Sequence, residues 1–171
     1  RDRSPSRGLG DVYKRQVQRI LVTMGAGAAP PVRGLRPVAA VAPGVAAATG
    51  LSLQQLAAAL VGQLRPAAVV CVDSLCSAEG QRLGRTVQFS DAGLYPAQAD
   101  HTRHLTRDTL GVPVVAAGIP TLMQAQEGAD LVVTPRALDS IIAHGAALLA
   151  GSVNRALQPR LTVQQLCWLT G

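Results

Sequence analysis

The chain has 171 residues, which is enough for one domain with a hydrophobic core. Apolar residues make up 48% and charged residues 15%, which excludes an intrinsically disordered chain, and aromatic residues at 2% leave Ala, Val and Leu to build the core. The net charge of +6 is not arranged as a basic stripe with stacking aromatic residues, so we expect no direct nucleic-acid partner.

The first 16 residues, RDRSPSRGLGDVYKRQ, differ from the rest of the chain. They hold five basic and two acidic side chains and include Lys14, whereas every other basic residue of the chain is Arg. The stretch GLGDVYKRQ also resembles a translated sequencing adapter. We therefore treat residues 1–16 as a non-native leader and take residues 17–171 as the part that folds; a natural basic tail is the alternative.

The cysteines and the hydropathy indicate the cellular compartment in which the protein folds. Cys71, Cys76 and Cys167 are odd in number and form no CxxC pair, so we expect reduced thiols in a cytoplasmic protein. Gly, Pro and Gln interrupt every long apolar stretch, so we expect no membrane span.

The first predicted elements are two helices and a strand. Val17–Met24 is apolar at roughly helical spacing and predicts the end of a helix, and Pro37–Val41 predicts a short buried strand. Ser52 begins the clearest helix, because its hydroxyl and the side chain of Gln55 can form a capping box. Pro66 ends that helix.

Strands and helices alternate along the remainder. Three apolar runs predict strands: Ala67–Val72, Thr86–Phe89 and Val112–Ala117. Tyr95–Asp108 is the longest loop, and the last two helices are predicted to begin at Thr134-Pro135 and at Thr162. This order predicts an α/β fold, a layered sheet flanked by helices.

Residues with catalytic potential follow the predicted strands. They are Asp73 after the first, Ser90 and Asp91 after the second, and Gly118 after the third. Because sites in open α/β sheets form beyond the carboxyl ends of strands, Asp73 is the candidate catalytic acid or base, and Ser90, Asp91 and Gly118 form a possible secondary site. Position alone leaves a capping or turn role open for Asp73, and Asp-Ala-Gly is ordinary turn sequence for Asp91.

The long loop also carries candidate metal ligands. His101 and His104 are three residues apart, and Asp100 and Asp108 are the nearby carboxylates. A zinc site needs a third ligand held in place, and surface histidines without a metal are commoner, so we expect no metal and no cofactor. Neither a G-x-S-x-G elbow nor a Cys–His pairing indicates a nucleophile.

Five sequence blocks resemble motifs of the germination proteases. In chain order they are APGV followed by TG (42–50), RP with the strand ending in VDSL (65–75), VQFSDAG (87–93), TLGVPVVAAGIPT (109–121) and VTP (133–135). They are similar to the family's APGV…TG, KP…IDAL, QISDTG, TLGIPVIAIGVPT and VTP. The resemblance identifies residues 17–171 as the C-terminal portion of a single α/β peptidase domain.

This resemblance implies a function. Germination proteases are atypical aspartic endopeptidases that degrade small acid-soluble spore proteins; they are made as zymogens, form homo-oligomers and act in the cytoplasm of the forespore and spore core. Their fold is similar to that of the hydrogenase-maturation peptidases (phosphorylase/hydrolase-like). Of the two catalytic aspartates, one matches Asp73, and the other belongs to an NVTPDALGP-like motif that this sequence does not contain. We therefore expect the chain as written to be inactive.

Two other functions are compatible with the same sequence, one catalytic and one not. One is a metal-dependent maturation-type peptidase that uses Asp73 with the histidine loop. The other is a non-catalytic assembly module that keeps the fold. After Pro96 the family has a glycine-rich GSGVGN-type loop where this chain has AQADHT, so the exact substrate stays open.

Overall fold

The computed structural model describes residues 19–25, 32–43, 50–95, 104–124 and 132–171. The chain divides into two compact units, one formed by Pro43–Ile141 and the other by Arg1–Ala42 with Ile142–Gly171. The helices and strands are α1 (Leu53–Leu64), β1 (Val69–Ser77), β2 (Gln88–Ser90), α2 (Arg107–Leu110), β3 (Val114–Gln124), β4 (Val132–Val133), α3 (Leu138–Leu157) and α4 (Val163–Thr170), with a short 3₁₀ turn at Gly80–Arg82.

Helix α1 forms as its capping residues predict. The Ser52 hydroxyl accepts a hydrogen bond from the Gln55 N–H at 3.1 Å, and Gln55 Oε1 accepts one from the Ser52 N–H at 2.9 Å. The helix ends at Leu64, and its C-cap Arg65 has a left-handed backbone (φ +47°) that turns the chain just before Pro66. Both ends of this helix are therefore specified locally.

The strands form one mixed sheet in the order β1-β3-β2, and β4 pairs with the end of β3. β1 and β3 are parallel, whereas β2 runs antiparallel to β3. The α/β class is confirmed, but two strands are longer than predicted: β1 continues to Ser77 and β3 to Gln124. The short strand β4 was not predicted.

Among the described residues, the core of the sheet unit is small and contains no aromatic side chain. Its buried members are Cys71, Leu94, Leu105, Leu110, Val114 and Ala116, and the partly buried residues packed on them are Leu53, Ala57, Val61, Val69 and Val112. Aliphatic side chains thus fill it, as the composition predicts.

Helix α3 begins later than predicted. The chain makes a turn first, in which the Leu138 N–H donates to the Pro135 carbonyl at 3.2 Å, so Thr134 does not cap the helix. Its buried residues recur at every turn and therefore share one face of the helix. They are Ile142, Gly145, Ala146, Leu149, Ala150 and Asn154. Helix α4 has the predicted capping box between Thr162 and Gln165. Within the described ranges, no helix is both long and apolar enough to cross a bilayer.

Two buried amide side chains of the second unit organise extended segments. Asn154 accepts a hydrogen bond from the Leu21 N–H at 2.9 Å and donates one to the Arg19 carbonyl at 2.8 Å. Gln158 makes the equivalent pair with the backbone of Arg36, at 3.0 and 2.8 Å. Each side-chain amide therefore pairs with one backbone N–H and one backbone carbonyl, which are the groups that a neighbouring strand would otherwise satisfy.

These contacts correct two predictions. Residues 19–24, the described part of the Val17–Met24 segment, are not helical, and Pro37–Val41 forms no strand. Instead the N–H groups of Thr23 and Met24 both donate to the Val38 carbonyl, at 3.0 and 3.1 Å. The sequence pattern failed because side chains far along the chain take the place of regular backbone pairing.

Replacing Asn154 by Leu should lower the free energy of unfolding by about 1–2 kcal/mol, because two part-buried hydrogen bonds to the backbone of Arg19 and Leu21 are lost. Urea denaturation measures this change. The matched control is Ser152→Ala on an exposed turn of the same helix, for which we expect a change within about 0.5 kcal/mol. Equal effects of the two substitutions would contradict a stabilising role for the amide.

Candidate active site

Asp73 lies in the middle of β1 and not at its end. The strand continues because Ser74 and Leu75 pair with Ile119 and Pro120 of β3, after which the register shifts by one residue. The predicted end of the strand at Val72 is therefore wrong. Asp73 itself is half-buried and is neither a helix cap nor a turn residue.

Gly118 is the residue of β3 opposite Asp73 in the parallel register. A Cβ atom at Gly118 would lie 2.5 Å from the carbonyl oxygen of Asp73 and 2.6 Å from Cγ of Leu75. No side chain fits there without moving β1, so a glycine is required for the strands to approach this closely. The structure thus places Gly118, which the sequence interpretation grouped with Ser90 and Asp91, opposite Asp73 in mid-strand.

Ser90 and Asp91 lie elsewhere on the sheet because β2 is antiparallel. Ser90 pairs with Ala116, two residues before Gly118 on β3, and Asp91 follows it in an exposed turn. The Ser90 hydroxyl accepts a hydrogen bond from the Ala92 N–H at 3.2 Å, as is typical of such a turn. Ser90 and Asp91 therefore do not lie next to Asp73. Their role as a secondary site stays a prediction.

Gln88 is the polar residue that the sequence interpretation missed. It pairs with Gly118 from the other side, so Asp73, Gly118 and Gln88 form one row across the sheet. Residues opposite each other share a face, which places Asp73 and Gln88 on the same face, about 10 Å apart at two strand spacings. The local sequence carries no signal for this row, because it depends on the direction of β2.

The Asp73 carboxylate accepts a hydrogen bond from the N–H of the next residue, Ser74, at 2.7 Å. The backbone N–H of Val69 donates to Pro113, next to β3, at 2.9 Å. Because backbone groups alternate along a strand, Cys71 and Asp73 also pair with β3, and Val70, Val72 and Ser74 face the opposite edge. The carboxylate oxygen bound to Ser74 therefore lies at the outer edge of β1.

The long loop is closed at its base by a pair of backbone hydrogen bonds between Leu94 and Leu105, of 2.9 and 3.1 Å. At this base the rings of Tyr95 and His104 are 5.0 Å apart. Among the described residues no group of three His, Cys, Asp or Glu side chains could hold a metal ion. His101 lies outside the described residues, so the histidine-loop hypothesis stays a prediction.

Cys71 precedes Asp73 on the same face of β1, but burial suppresses its reactivity. Desolvation raises the pKa of its thiol from an ordinary value of 9.0 to about 11. The thiol therefore stays protonated at neutral pH, and the thiolate that nucleophilic catalysis requires does not form. At this point of the sheet the carboxylate of Asp73 is the group suited to acid/base chemistry.

Comparisons with known proteins agree on one family. The family model described as germination protease matches residues 14–127. The germination protease of Clostridium perfringens strain 13 is 29% identical over 77% of this chain and 55% of its own length. That of Halalkalibacterium halodurans is 36% identical over 65% of the chain and 29% of its own length, and that of Bacillus subtilis strain 168 is 33% identical over 74% and 34%. The chain thus spans about half the length, or less, of these relatives.

A Gly118→Ala substitution should destabilise the protein by about 1–3 kcal/mol, because the added methyl group meets the backbone of Asp73 and the side chain of Leu75. The matched control is Gly62→Ala in α1, where no atom lies within 4 Å of the added group. That control should stabilise the helix by up to about 1 kcal/mol. Opposite signs in chemical denaturation support the close approach, and a neutral Gly118→Ala variant would refute it.

A thiol reagent such as DTNB, at about pH 8, should modify Cys76 and Cys167 in the native protein and leave Cys71 unmodified until the protein is denatured. The reason is that the first two thiols are exposed and Cys71 is buried with a raised pKa. Counting reacted thiols before and after adding denaturant measures this, with Cys71→Ala identifying the protected thiol. Rapid reaction of all three would mean that Cys71 is accessible.

Proposed function

This chain belongs to the germination protease family, and we propose that it is the Asp73-bearing part of an endopeptidase that degrades small acid-soluble spore proteins during germination. The observation that supports this most is the family match over residues 14–127, which includes both Asp73 and Gly118. The half-buried position of Asp73 beside Gly118 supports it further, because partial burial is typical of a carboxyl group that takes part in acid/base chemistry.

In the proposed mechanism Asp73 exchanges protons during peptide-bond hydrolysis. One carboxylate removes a proton from a water molecule as the water oxygen attacks the scissile carbonyl carbon, and an acid delivers a proton to the amide nitrogen as the C–N bond breaks. Two carboxyl groups in different protonation states divide these roles. Asp73 supplies one of them.

The second carboxyl group is assigned by resemblance to the NVTPDALGP-like motif, which the sequence given does not contain. We therefore propose that residues 17–171 alone have no measurable peptidase activity and that the full-length protein is an aspartic-type enzyme. From the same resemblance we propose that it is made as a zymogen, forms a homo-oligomer and acts in the cytoplasm of the forespore and spore core.

The test is a chimera in which residues 17–171 replace the matching part of the C. perfringens relative, with a purified small acid-soluble spore protein as substrate. Asp73→Asn should lower kcat/KM by about 10²–10⁴-fold, because the amide cannot take up the proton. The matched control is Asp139→Asn, an exposed residue in the first turn of α3, which should leave kcat/KM unchanged.

Three outcomes decide between the proposals. Unchanged cleavage by the Asp73→Asn chimera would contradict a catalytic role and favour an assembly module. Cleavage that disappears with a chelator and returns with a metal ion would favour the metal-dependent alternative. Cleavage by residues 17–171 alone would refute the need for a second carboxyl group.

A further inference from the structure

The row of residues that crosses the sheet at Gly118 carries two polar side chains, Asp73 on β1 and Gln88 on β2. Residues that oppose each other in a sheet share a face, so both side chains stand on one face with β3 between them. The row before it on the same face contains Cys71 and Ala116, which are buried in the core. The row of Asp73 and Gln88 is therefore the first one beyond the core.

The middle of this row has no side chain of its own, because its residue on β3 is Gly118. The side chain of Leu75 occupies that space, since a Cβ atom at Gly118 would lie 2.6 Å from Cγ and 2.9 Å from Cδ1 of Leu75. Leu75 is half-buried, as are Asp73 and Gln88. From β1 to β2 the row thus presents a carboxylate, an apolar side chain and a primary amide.

The Gln88 side chain has the hydrogen-bonding groups that match a peptide backbone. Its amide offers two N–H donors and a carbonyl acceptor. Another glutamine of this chain shows the match directly: Gln158 accepts the N–H of Arg36 at 3.0 Å and donates to the carbonyl of the same residue at 2.8 Å. The amide is also uncharged, so it leaves the ionisation of a nearby carboxylate unperturbed by charge. Gln88 is therefore suited to holding an extended polypeptide and not to exchanging protons with it.

The separation of the two polar side chains corresponds to a short length of extended polypeptide. Two strand spacings place the Cα atoms of Asp73 and Gln88 about 10 Å apart. An extended chain advances about 3.3 Å per residue, so a segment lying across the row passes from one side chain to the other in about three residues. A polypeptide with one peptide bond beside Asp73 therefore has a residue about three positions away beside Gln88.

We infer that Gln88 is a substrate-binding residue of the peptidase, and that its amide pairs with the backbone N–H and carbonyl of one substrate residue about three positions from the scissile bond. The inference rests on the proposed function, in which Asp73 acts on a polypeptide. The side chain of Leu75 lies between the two polar groups, so it contacts the intervening substrate residues and favours an apolar side chain among them.

The kinetic test uses the chimera described above, with a small acid-soluble spore protein as substrate. Gln88→Met keeps the length of the side chain and removes its donors and acceptor. It should raise KM by about 3–10-fold and leave kcat within about twofold, because the lost contact is equally strong in the ground state and the transition state. Gln63→Met makes the same change at an exposed position of α1 and should alter neither constant. An unchanged KM for Gln88→Met, or a fall in kcat alone, would overturn the inference.

Equilibrium binding separates this inference from the proposed function. Fluorescence anisotropy with a labelled substrate gives its Kd for the Asp73→Asn chimera, and adding Gln88→Met should weaken that binding by about 3–10-fold. An unchanged Kd would mean that Gln88 does not touch the substrate or is covered by another part of the enzyme, and would overturn the inference alone. Weakened binding together with cleavage that survives Asp73→Asn would support Gln88 and contradict the catalytic role of Asp73. A chimera that neither binds nor cleaves the substrate would contradict both.

A series of substrate peptides locates the contact. Each peptide spans the cleavage site, which mass spectrometry of the products maps, and carries one backbone N-methyl group at a different position. Methylation about three residues from the scissile bond should weaken binding to the Asp73→Asn chimera. The same methylation should have little further effect when Gln88→Met is present, because the hydrogen bond is already lost. Additive effects of methylation and Gln88→Met at every position would contradict a direct contact.

Protection of Cys71 from DTNB verifies that each variant is folded, because this thiol is buried in the core beside the row. If Gln88→Met fails that check, Gln88→Glu replaces it, since glutamate has the same length but no N–H donors. Gln88→Glu should weaken substrate binding by at least about threefold. Full affinity of a folded Gln88→Glu variant would contradict the inference.

Discussion

The ladder of hydrogen bonds between β1 and β3 decides the direction of every backbone group around Asp73. Its parallel register places Asp73 opposite Gly118, and the missing Cβ of that glycine allows the two strands to come together. Once one set of β1 residues faces β3, the alternate set must face the other edge. The carboxylate hydrogen-bonded to Ser74 then lies on that edge. The proposed chemistry therefore depends on strand pairing more than on any cavity.

Local sequence signals predicted the parts of the fold that local interactions determine. The capping boxes at Ser52 and Thr162 correctly marked two helix starts, and the apolar runs correctly marked three strands. The lengths of β1 and β3 were missed because Ser74–Ser77 and Ile119–Gln124 are held by each other and by β4, not by an apolar pattern of their own. Tertiary pairing overrides local pattern in such segments.

For the same reason, the arrangement around Asp73 was not predicted. The sequence interpretation grouped Gly118 with Ser90 and Asp91, whereas the parallel register places it opposite Asp73. Because β2 runs antiparallel to β3, Gln88 is aligned with Gly118 and Asp73. Ser90 and Asp91 lie farther along the sheet, away from Asp73. A three-residue strand carries no sequence signal of its direction. Likewise, the backbone partners of Asn154 and Gln158 lie more than 100 residues away in sequence.

Native-state hydrogen exchange along β1 tests most directly whether this strand pairs with β3 in the register that places Asp73 opposite Gly118. We predict slow exchange for the amides of Cys71 and Asp73, because the alternation of backbone groups directs them to β3. Fast exchange of these two amides in the native protein would mean that β1 does not pair with β3 and would contradict the proposed arrangement of the site.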